Sequence, residues 1–396
     1  MSDSSTGVTA ALLPGSLVQG QPLALGVMGG GQLGRMFVHA AQAMGYFTAV
    51  LDPDPNSPAG RVSHRHLQAD YLDPAALASL AQACAAVTTE FENVPAPALQ
   101  ALALSRPVSP AADAVAIAQD RIEEKAHFGR CGVSCAPYAV IRARGDCETL
   151  DPGLLPGILK TARLGYDGRG QVRVKTRAEL LQAWEALKGV PCVLEQLLPL
   201  QSEISVIVAR GRDGTMVHYA PQRNLHRDGI LAVTWSHEGN MPLALAAQAV
   251  EATKSIAQGL GYVGVLCVEF FVLEGGALIV NEMAPRPHNS GHYTLDACDV
   301  SQFDLQVRTL AGLPLSAPRH HSPAIMLNLL GDLWAGQGTP PWERVLALPG
   351  AHLHLYGKQD AKPGRKMGHL TFTGPTLAAV QANALAAADL LGMAPF

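Results

Sequence analysis

Long hydrophobic runs and an excess of positive charge are both absent from this 396-residue chain. No uninterrupted apolar stretch reaches the ~18 residues that a membrane-spanning helix needs, which argues against a membrane protein. The formal net charge is −4, so the chain as a whole has no electrostatic attraction to nucleic acid or to an anionic membrane. Any phosphate-binding groups must therefore be local clusters of cations.

Cysteine pairs with metal-binding or redox spacing are also absent. The seven cysteines contain no CxxC motif, and their number is odd. This usage predicts reduced, mostly buried thiols in a cytoplasmic protein, and it argues against a zinc site or a disulfide framework. Residues 1–22 lack the cationic segment with which a signal peptide begins, and we expect them to form a disordered extension.

Apolar runs alternate with helical patterns in the first third of the chain. The run Leu23–Met28 is followed by a glycine cluster, a helical pattern and a second apolar run at Phe47–Leu51. This order is typical of a parallel α/β domain. We predict one long helix from Ala111 to Cys131, then mostly short strands, and a final alanine-rich helix at Leu377–Leu391. The length allows two to three domains.

The glycine cluster has the spacing of a dinucleotide-binding loop. Gly29, Gly31 and Gly34 form a GxGxxG motif, and Asp52 follows eighteen residues later. The motif is compatible with an NAD site, with tight packing of a strand on a helix, or with an anion site at a helix N-terminus. We discount NAD because a dehydrogenase does not need the phosphate-binding and metal-binding groups found further along the chain.

Residues 160–171 combine three glycines, three cations and one carboxylate. Glycines let backbone N–H groups approach a ligand closely, and the cations supply the charge that a polyphosphate needs. The pair Asp167-Gly168 is also a strong hairpin signal, so a solvated turn is the alternative interpretation. A hairpin that closes over a nucleotide satisfies both.

Two carboxylates follow at matched positions of two predicted strands. Glu269 lies between apolar neighbours, and Glu282 lies near the end of the next strand, beyond a Glu-Gly-Gly turn. Antiparallel pairing of these strands would place both carboxylates side by side on one face. Paired carboxylates suit Mg²⁺, which prefers hard oxygen ligands and bridges to phosphates. Either glutamate alone would more simply be a salt-bridged residue.

The order and spacing of these motifs resemble the ATP-grasp superfamily and, within it, the N5-carboxyaminoimidazole ribonucleotide synthases of purine biosynthesis. The resemblance extends over nearly all of the chain beyond the first 22 residues. The motifs that carry it are Gly29–Arg35, Thr89–Val94, Asp120–Arg121, Gly165–Gly170, Asn224–Ile230, Gly261–Val265, Asn281–His292 and Pro363–His369.

The resemblance implies an α/β protein of ATP-grasp architecture. Its N-terminal Rossmann-like, parallel-sheet domain (the pre-ATP-grasp domain) would span residues 23–115 and bind the ribonucleotide. A central ATP-grasp α+β region would span 116–315, with a lid at about 130–195 and the metal-binding and ATP-binding strands at 196–315. A small C-terminal domain, 316–396, would supply a clamp for the substrate phosphate.

The implied reaction joins ATP, bicarbonate and 5-aminoimidazole ribonucleotide through carboxyphosphate. The products are N5-carboxyaminoimidazole ribonucleotide, ADP and phosphate. The implied metal is Mg²⁺, with Mn²⁺ as an alternative; neither NAD nor biotin is expected. We also expect a homodimer. Because no mutase domain like that of some eukaryotic relatives precedes Phe396, a separate mutase would convert the product.

By the same resemblance, Glu269 and Glu282 hold the metal, Glu203 contacts the ribose and the linker at Glu195 reads the adenine edge. A purely structural histidine is the alternative for His226. The residues implied in ATP binding are Arg121, Lys160, Gly165, Tyr166, Asp167, Gly168, Arg169, Gly170, Gln171, Glu195, Gln196, Leu197, Leu198, Glu203, His226, Asn281 and Glu282.

The acceptor side of the implied site has its own residues. Arg286, four positions after Glu282, would hold bicarbonate, and the cations between Lys358 and Lys366 suit a monophosphate. For Lys362 and Lys366 a solvated basic turn is the alternative. The catalytic set implied is Asp167, Arg169, Arg286, His288 and Asn289. Ribonucleotide contacts are implied for Gly31, Gln32, Leu33, Glu90, Tyr166, Asp167, Arg169, Arg286, His288, Asn289, Lys358 and Arg365.

Two alternatives remain open from the sequence. Another ATP-grasp ligase, such as the formate-dependent glycinamide ribonucleotide transformylase, would share most of the ATP site, but the set around Arg286, His288 and Lys358 argues against it. From a different class, an NAD-binding oxidoreductase or a nucleotide sensor could use the Gly29–Gly34 loop. The paired glutamates argue against both of these.

Overall fold

A computed structural model of the chain describes residues 10–18, 20–165, 170–335 and 338–396. Two short strands before Leu23 pair in the antiparallel sense, and three larger sheets follow. The stretch before Leu23 was expected to be disordered, and this is wrong for its described part. The Leu12 N–H donates to the Ala311 carbonyl at 2.8 Å, and the Tyr46 hydroxyl donates to the Leu12 carbonyl at 2.5 Å. The two short strands are β1 (Leu17–Val18) and β2 (Gln21–Pro22).

The N-terminal domain is a four-stranded parallel sheet with the order β5-β4-β3-β6. Its central strands are buried on both faces, because helices cover the sheet on each side. Asp73 begins the second helix by accepting the Ala75 and Ala76 N–H groups, with Pro74 at the first helical position. The elements are β3 (Ala24–Met28), α1 (Gln32–Ala43), β4 (Phe47–Leu51), β5 (Arg65–Leu67), α2 (Pro74–Ala83), β6 (Ala86–Thr89), α3 (Ala96–Ala103) and α4 (Ala112–Ala118).

The helix predicted over 111–131 is two helices in the structure. The second begins at Arg121, where the Asp120 carboxylate caps it by accepting the Ile122 N–H at 3.0 Å. The Arg121 N–H meanwhile donates to the Ala162 carbonyl at 2.9 Å. A capping aspartate and a backbone hydrogen bond leaving the helix axis both favour a break here. The second helix is α5 (Arg121–Arg130).

A four-stranded antiparallel sheet with two helices forms the region predicted to be a lid, and we call it the lid sheet. The strand order is β7-β10-β8-β9, and β8 and β9 are the predicted hairpin strands on either side of the glycine-rich segment. The elements are β7 (Tyr138–Ile141), α6 (Arg144–Glu148), β8 (Gly157–Thr161), β9 (Gln171–Val174), α7 (Arg177–Ala186) and β10 (Cys192–Gln196).

The largest sheet runs continuously from the central region into the C-terminal region. Its order is β16-β15-β11-β13-β14-β17-β19-β18, with β12 paired to β11. The strands are β11 (Leu200–Arg210), β12 (Met216–His218), β13 (Gln222–Arg227), β14 (Ile230–Ser236), β15 (Gly264–Leu273), β16 (Leu278–Ala284), β17 (Ala324–Leu330), β18 (Ala351–Leu355) and β19 (Lys366–Thr373). The helices packed around it are α8 (Leu243–Gly259), α9 (Thr294–Ala297), α10 (Gln302–Ala311), α11 (Trp342–Leu346) and α12 (Leu377–Leu390).

All seven cysteines are free, and five are buried; Cys131 and Cys135 are partly exposed. Within the described residues no helix has the length and apolar character required to cross a bilayer.

Candidate active site

A cavity of about 800 Å³ lies between the N-terminal domain, the lid sheet and the large sheet. It gathers residues that are far apart in the sequence, which is typical of a ligand site between domains. The sequence-predicted residues that line it are Arg121, Lys160, Gly165, Gln171, Glu195, Gln196, Leu197, Leu198, Glu203, His226, Glu269, Asn281, Glu282, Arg286, His288 and Asn289.

The two predicted metal glutamates face each other across two strands. Glu269 of β15 and Glu282 of β16 are directly paired residues of an antiparallel ladder, as the sequence predicted. The register shifts by one residue between this pair and the Phe270–Val280 pair, so Asn281 is the extra residue of a β-bulge. The bulge lets Asn281 as well as both carboxylates line the cavity.

The carboxylate pair has the donor atoms that a divalent cation needs. Glu269 Oε1 and Asn281 Oδ1 are buried, and neither has a hydrogen-bond partner among the described residues. Burial, reinforced by the charge of Glu282, raises the pKa of Glu269 to about 7, against a lowering by His226. Unsatisfied hard oxygens next to a second carboxylate fit Mg²⁺ or Mn²⁺.

Arg121, at the start of α5, forms an ion pair with Glu282. Its guanidinium donates to Glu282 Oε2 at 3.0 Å. Burial alone would raise the pKa of Glu282, but Arg121 and Lys160 bring it below its ordinary value. Glu282 is therefore ionised and oriented in the absence of any ligand.

Glu124 lies on the same helix as Arg121 and also lines the cavity. It was not identified from the sequence as a site residue. Its Oε1 accepts the Met283 N–H at 2.7 Å, directly beside Glu282. Burial raises the pKa of Glu124 to about 8, although Arg121 opposes this. Its position three residues after Arg121 on one helix was the available signal, because such residues share a face.

Two lysines share one glutamate on the lid side of the cavity. Lys160 Nζ lies 2.9 Å from Glu195 Oε2, and Lys125 Nζ lies 3.0 Å from Glu195 Oε1. All three side chains are almost completely buried. Burial lowers the pKa of Lys160, and Glu195 only partly offsets this. Lys125 was also missed; it lies one turn after Arg121.

A carboxylate–imidazole pair lies on the neighbouring strands of the large sheet. His226 Nδ1 of β13 is 2.5 Å from Glu203 Oε2 of β11. Both side chains line the cavity. Burial alone would lower the pKa of His226, but its contact with Glu203 raises it above the ordinary value. The pair is thus held in place by the protein itself, with no ligand needed to orient it.

The loop after β16 brings a cation and an imidazole to the end of the cavity where Glu269 and Glu282 lie. Arg286 Nε donates to Glu92 Oε2 at 2.5 Å, which ties this loop to the N-terminal domain. His288 Nε2 lies 3.7 Å from Glu269 Oε1. Burial and the charge of Arg286 hold the pKa of His288 well below its ordinary value, so its imidazole is neutral.

A buried glutamine fixes the backbone of that loop. Gln302 accepts the His288 N–H at 2.9 Å and donates to the His288 carbonyl at 2.8 Å. Next to it, both side-chain amide atoms of Asn289 are buried without a hydrogen-bond partner among the described residues. Such unsatisfied groups indicate a place where a polar ligand binds.

Three family models cover most of the chain. The ribonucleotide synthetase preATP-grasp domain matches residues 23–119, the ATP-grasp domain 126–303 and the phosphoribosylaminoimidazole carboxylase C-terminal domain 324–383. An N5-carboxyaminoimidazole ribonucleotide synthase of Brucella melitensis is 42% identical over 375 residues, which cover 92% of this chain and 98% of that protein. The chain belongs to the N5-carboxyaminoimidazole ribonucleotide synthase family.

Solved structures of this family have the same fold. The ADP complex of an N5-carboxyaminoimidazole ribonucleotide synthetase superposes with a TM-score of 0.88 at 36% identity, covering 96% of this chain and 98% of that one. The Aspergillus clavatus synthase in complex with ADP and 5-aminoimidazole ribonucleotide gives 0.85 at 32% identity, covering 94% and 99%.

The glycine loop of this synthase-family chain lies outside the lining of the cavity. The Gly31 and Gly34 N–H groups donate to the two oxygens of Glu90, at 2.9 and 3.2 Å, and the Gly30 N–H donates to Asp52 at 2.6 Å. The amides that could bind a phosphate are therefore engaged by the protein's own carboxylates. Gln32 and Leu33 begin α1.

The predicted phosphate clamp is not brought to the cavity lining either, although it lies near the glycine loop. Leu33 and Tyr356 belong to one hydrophobic cluster, and Lys358 follows Tyr356 by two residues. Lys358 Nζ donates to the Lys366 carbonyl at 2.7 Å, and Arg365 donates to the Asp360 carbonyl at 2.9 Å. Lys366 itself does line the cavity.

The glycine-rich loop between β8 and β9 is described only in part. Tyr166, Asp167, Gly168 and Arg169 lie outside the described residues. On either side of them the hairpin is clear, because the Thr161 N–H donates to the Gly170 carbonyl at 2.9 Å. Gly170 has a φ of +71°, a left-handed conformation that glycine adopts at little cost.

Proposed function

We infer that this chain is an ATP-dependent carbon–nitrogen ligase that carboxylates 5-aminoimidazole ribonucleotide at N5, a step of purine biosynthesis. The products are N5-carboxyaminoimidazole ribonucleotide, ADP and phosphate. The observation that carries this inference is the Glu269–Glu282 pair, which shares one cavity with cations that include Arg121, Lys160 and Arg286. The chain around this pair matches the synthase family from residue 23 to 383. This arrangement suits transfer of a phosphoryl group.

We propose that ATP occupies the lid side of the cavity. Arg121 and Lys160 would contact its phosphates, and the backbone at Glu195–Leu198 would read the adenine edge. Glu203, already oriented by His226, would accept from the ribose hydroxyls. The hairpin of β8 and β9 would close over the phosphates and exclude water, which matters because carboxyphosphate hydrolyses readily.

The proposed metal ligands are Glu269 and Glu282, with the Asn281 amide oxygen beside them. Mg²⁺ or Mn²⁺ bound there would neutralise charge on the transferred phosphoryl group. Arg121 keeps Glu282 ionised, so this ligand does not have to lose a proton before the metal binds. Glu269 has a raised pKa and would release its proton on binding.

Arg286 is the proposed bicarbonate-binding residue. Its pairing with Glu92 leaves the guanidinium positioned at the metal end of the cavity. Bicarbonate would attack the γ-phosphoryl group there, and its C–O⁻ oxygen would become the bridging oxygen of carboxyphosphate as ADP leaves. The acceptor amine then takes the carboxyl carbon, and phosphate leaves.

We propose that the aminoimidazole ring lies near His288 and Asn289. The neutral His288 imidazole can accept the proton that the exocyclic amine loses. Asn289 can bond the ring or carboxylate through its unsatisfied amide. Asp167 and Arg169 are proposed beside them, and Tyr166, Lys358 and Arg365 as the phosphate clamp, with Gly31, Gln32, Leu33 and Glu90 facing the substrate. With Lys358 and Arg365 outside the cavity lining, the clamp would form when this region closes on its substrate.

We propose a cytoplasmic homodimer that binds no NAD or biotin and has no nucleic-acid or membrane partner. The labile carbamate it makes would pass to a separate mutase. Analytical ultracentrifugation tests the dimer directly.

The decisive experiment measures ADP release with Mg²⁺-ATP while the ribonucleotide and bicarbonate are added singly and together. The proposal requires turnover that depends on both, with labelled bicarbonate carbon appearing in an acid-labile carbamate. Turnover that needs formate and glycinamide ribonucleotide instead would assign the chain to another ATP-grasp reaction.

A further inference from the structure

A second group of ligating side chains lies away from the cavity, on the edge of the large sheet. His352 and His354 are two positions apart on the edge strand β18, and His354 pairs directly with His369 of β19. Residues two apart on a strand, and residues paired across an antiparallel ladder, share one face. Three imidazoles are therefore displayed on the same face of the sheet.

One carboxylate covers this face. Asp296 of α9 lies with its two oxygens 3.0 and 3.1 Å from His354 Nε2, and His352 Nδ1 is 3.6 Å from Asp296 Oδ1. One ligand atom each from Asp296, His354 and His369 lie within 4.8 Å of one another. Since two ligands of a tetrahedral Zn²⁺ ion are about 3.3 Å apart, the Asp296–His354 pair already has the required spacing. His369 lies close enough for a small shift of the side chains to complete the set.

The hydrogen bonding of His369 is typical of a metal-binding histidine. Its ring is completely buried, and Nδ1 lies 2.9 Å from the Tyr356 hydroxyl. Its Nε2 has no hydrogen-bond partner among the described residues. Histidine ligands commonly donate one ring N–H to a neighbouring oxygen, which leaves the lone pair of the other nitrogen for the metal. Burial holds the pKa of His369 well below its ordinary value, so the imidazole is neutral.

The cluster is open to ions from solvent and differs chemically from the carboxylate site. The His352 and His354 side chains are 39% and 33% exposed, whereas Asp296 is 10% exposed. Imidazoles with one carboxylate suit Zn²⁺ and other first-row transition ions, whereas Mg²⁺ prefers oxygen ligands. Entry from the sheet edge therefore leads to a site selective against Mg²⁺.

We propose that Asp296, His354 and His369 bind one Zn²⁺ ion, with His352 as the nearest fourth ligand. The ion would join α9, which follows the loop of His288, to β18 and β19 in the C-terminal region. It would thereby fix the edge strand that leads through Tyr356 to Lys358. The site is separate from the Glu269–Glu282 pair and does not depend on the proposed reaction.

The test is calorimetric titration of Zn²⁺ into the chelator-treated full chain, without nucleotide and in excess Mg²⁺. We expect one Zn²⁺ per chain, with affinity reduced more than about 100-fold in His354→Gln and in Asp296→Asn, because loss of a ligand exceeds the effect of losing an outer-shell partner. His39→Gln, which removes an exposed imidazole from α1, is the control and should bind Zn²⁺ normally. Equal affinity in all four proteins, or no binding, would overturn the proposal.

A second measurement needs no substitution. Diethyl pyrocarbonate acylates accessible imidazoles, and mass spectrometry locates the acylated residues. Bound Zn²⁺ should protect His352 and His354 at least about tenfold while leaving His39 reactive. Zn²⁺ binding without this protection would place the ion elsewhere and contradict the proposal, even if a variant proved unable to fold.

Discussion

Glu282 combines two roles at the residue scale, since it is a proposed metal ligand and, among the described residues, the ion-pair partner of Arg121. Replacing it with glutamine removes a charge from the metal site and leaves a buried guanidinium unpaired. We expect Glu282→Gln to reduce ribonucleotide-dependent ADP release by about 10²–10³ or more.

The matched control for Glu282→Gln is Glu274→Gln, in the turn that joins the same two strands. Glu274 is exposed, so its loss should leave turnover nearly unchanged. Circular dichroism would establish that both variants fold. If Glu282→Gln folded and kept a tenth of the activity, the metal assignment would be untenable.

The raised pKa of Glu124 predicts that the free energy of unfolding depends on pH. Burial raises this pKa to about 8 in the folded chain, against an ordinary value of about 4.5. The folded state therefore keeps a proton that the unfolded state loses, and the resulting stability is complete below about pH 4.5 and is lost as the pH rises to about 8. Relative to Glu124→Gln, the unsubstituted chain should lose about 1.4 kcal/mol of unfolding free energy per pH unit in that window.

Urea unfolding of both proteins from pH 5 to pH 9 measures this difference. Glutamine keeps the acceptor for the Met283 N–H, so the comparison isolates the charge. A difference in unfolding free energy that stayed constant across the window would mean that Glu124 is ionised in the folded chain throughout.

At the scale of elements, α5 carries Arg121, Glu124 and Lys125 into the site, and Asp120 begins it. Asp120→Ala removes the cap and the contact with Arg163 at 2.9 Å. We expect a loss of about 1 kcal/mol in unfolding free energy and a higher KM for ATP, because Arg121 is the next residue. Glu123→Ala removes an equal charge from the same first turn without removing the cap. Equal effects of the two changes in urea unfolding would exclude the capping role.

The elements also show what could be predicted from the sequence. Glu269 and Glu282 could be paired in advance because alternating strands and a Gly-Gly turn specify an antiparallel hairpin. The bulge at Asn281 could not, because one extra residue is selected by the fit of the strand in its sheet. The break at Asp120 was missed although aspartate is a strong cap, since the apolar pattern continues across it.

The contacts of Lys125 and Gln302 depend on segments distant in the chain. Lys125 meets Glu195 seventy residues later, and Gln302 is recognisable as a support for His288 only once α10 is packed. Sequence periodicity reports local faces and not such pairings. The resemblance to the synthase family supplied the long-range order of the motifs, but it did not supply the partners that hold each side chain.

At the scale of the whole molecule, the cavity lies where the N-terminal domain meets the central region, and α10 forms part of that contact. Phe37 and Val38 of α1 pack in one cluster with Val307 and Leu310 of α10, so the N-terminal domain docks on a helix that belongs to the central region. The Gln306 side chain of α10 also donates to the Thr88 hydroxyl at 3.2 Å. This apolar and polar contact fixes where Glu92 lies relative to Arg286.

The Glu92–Arg286 ion pair connects the N-terminal domain to the loop after β16. Its loss should uncouple ADP release from carbamate formation. Glu92→Gln leaves Arg286, the proposed bicarbonate-binding residue, free to turn away from the site. We therefore expect kcat/KM for bicarbonate to fall about tenfold or more, roughly 1.4 kcal/mol of transition-state stabilisation. ADP release should also exceed carbamate formation, because a weaker contact between the N-terminal domain and this loop would let water reach carboxyphosphate. The control is Glu148→Gln, which breaks an exposed pair with Arg144. A strict one-to-one ratio of ADP to carbamate in Glu92→Gln would show that the Glu92–Arg286 pair does not exclude water from the site.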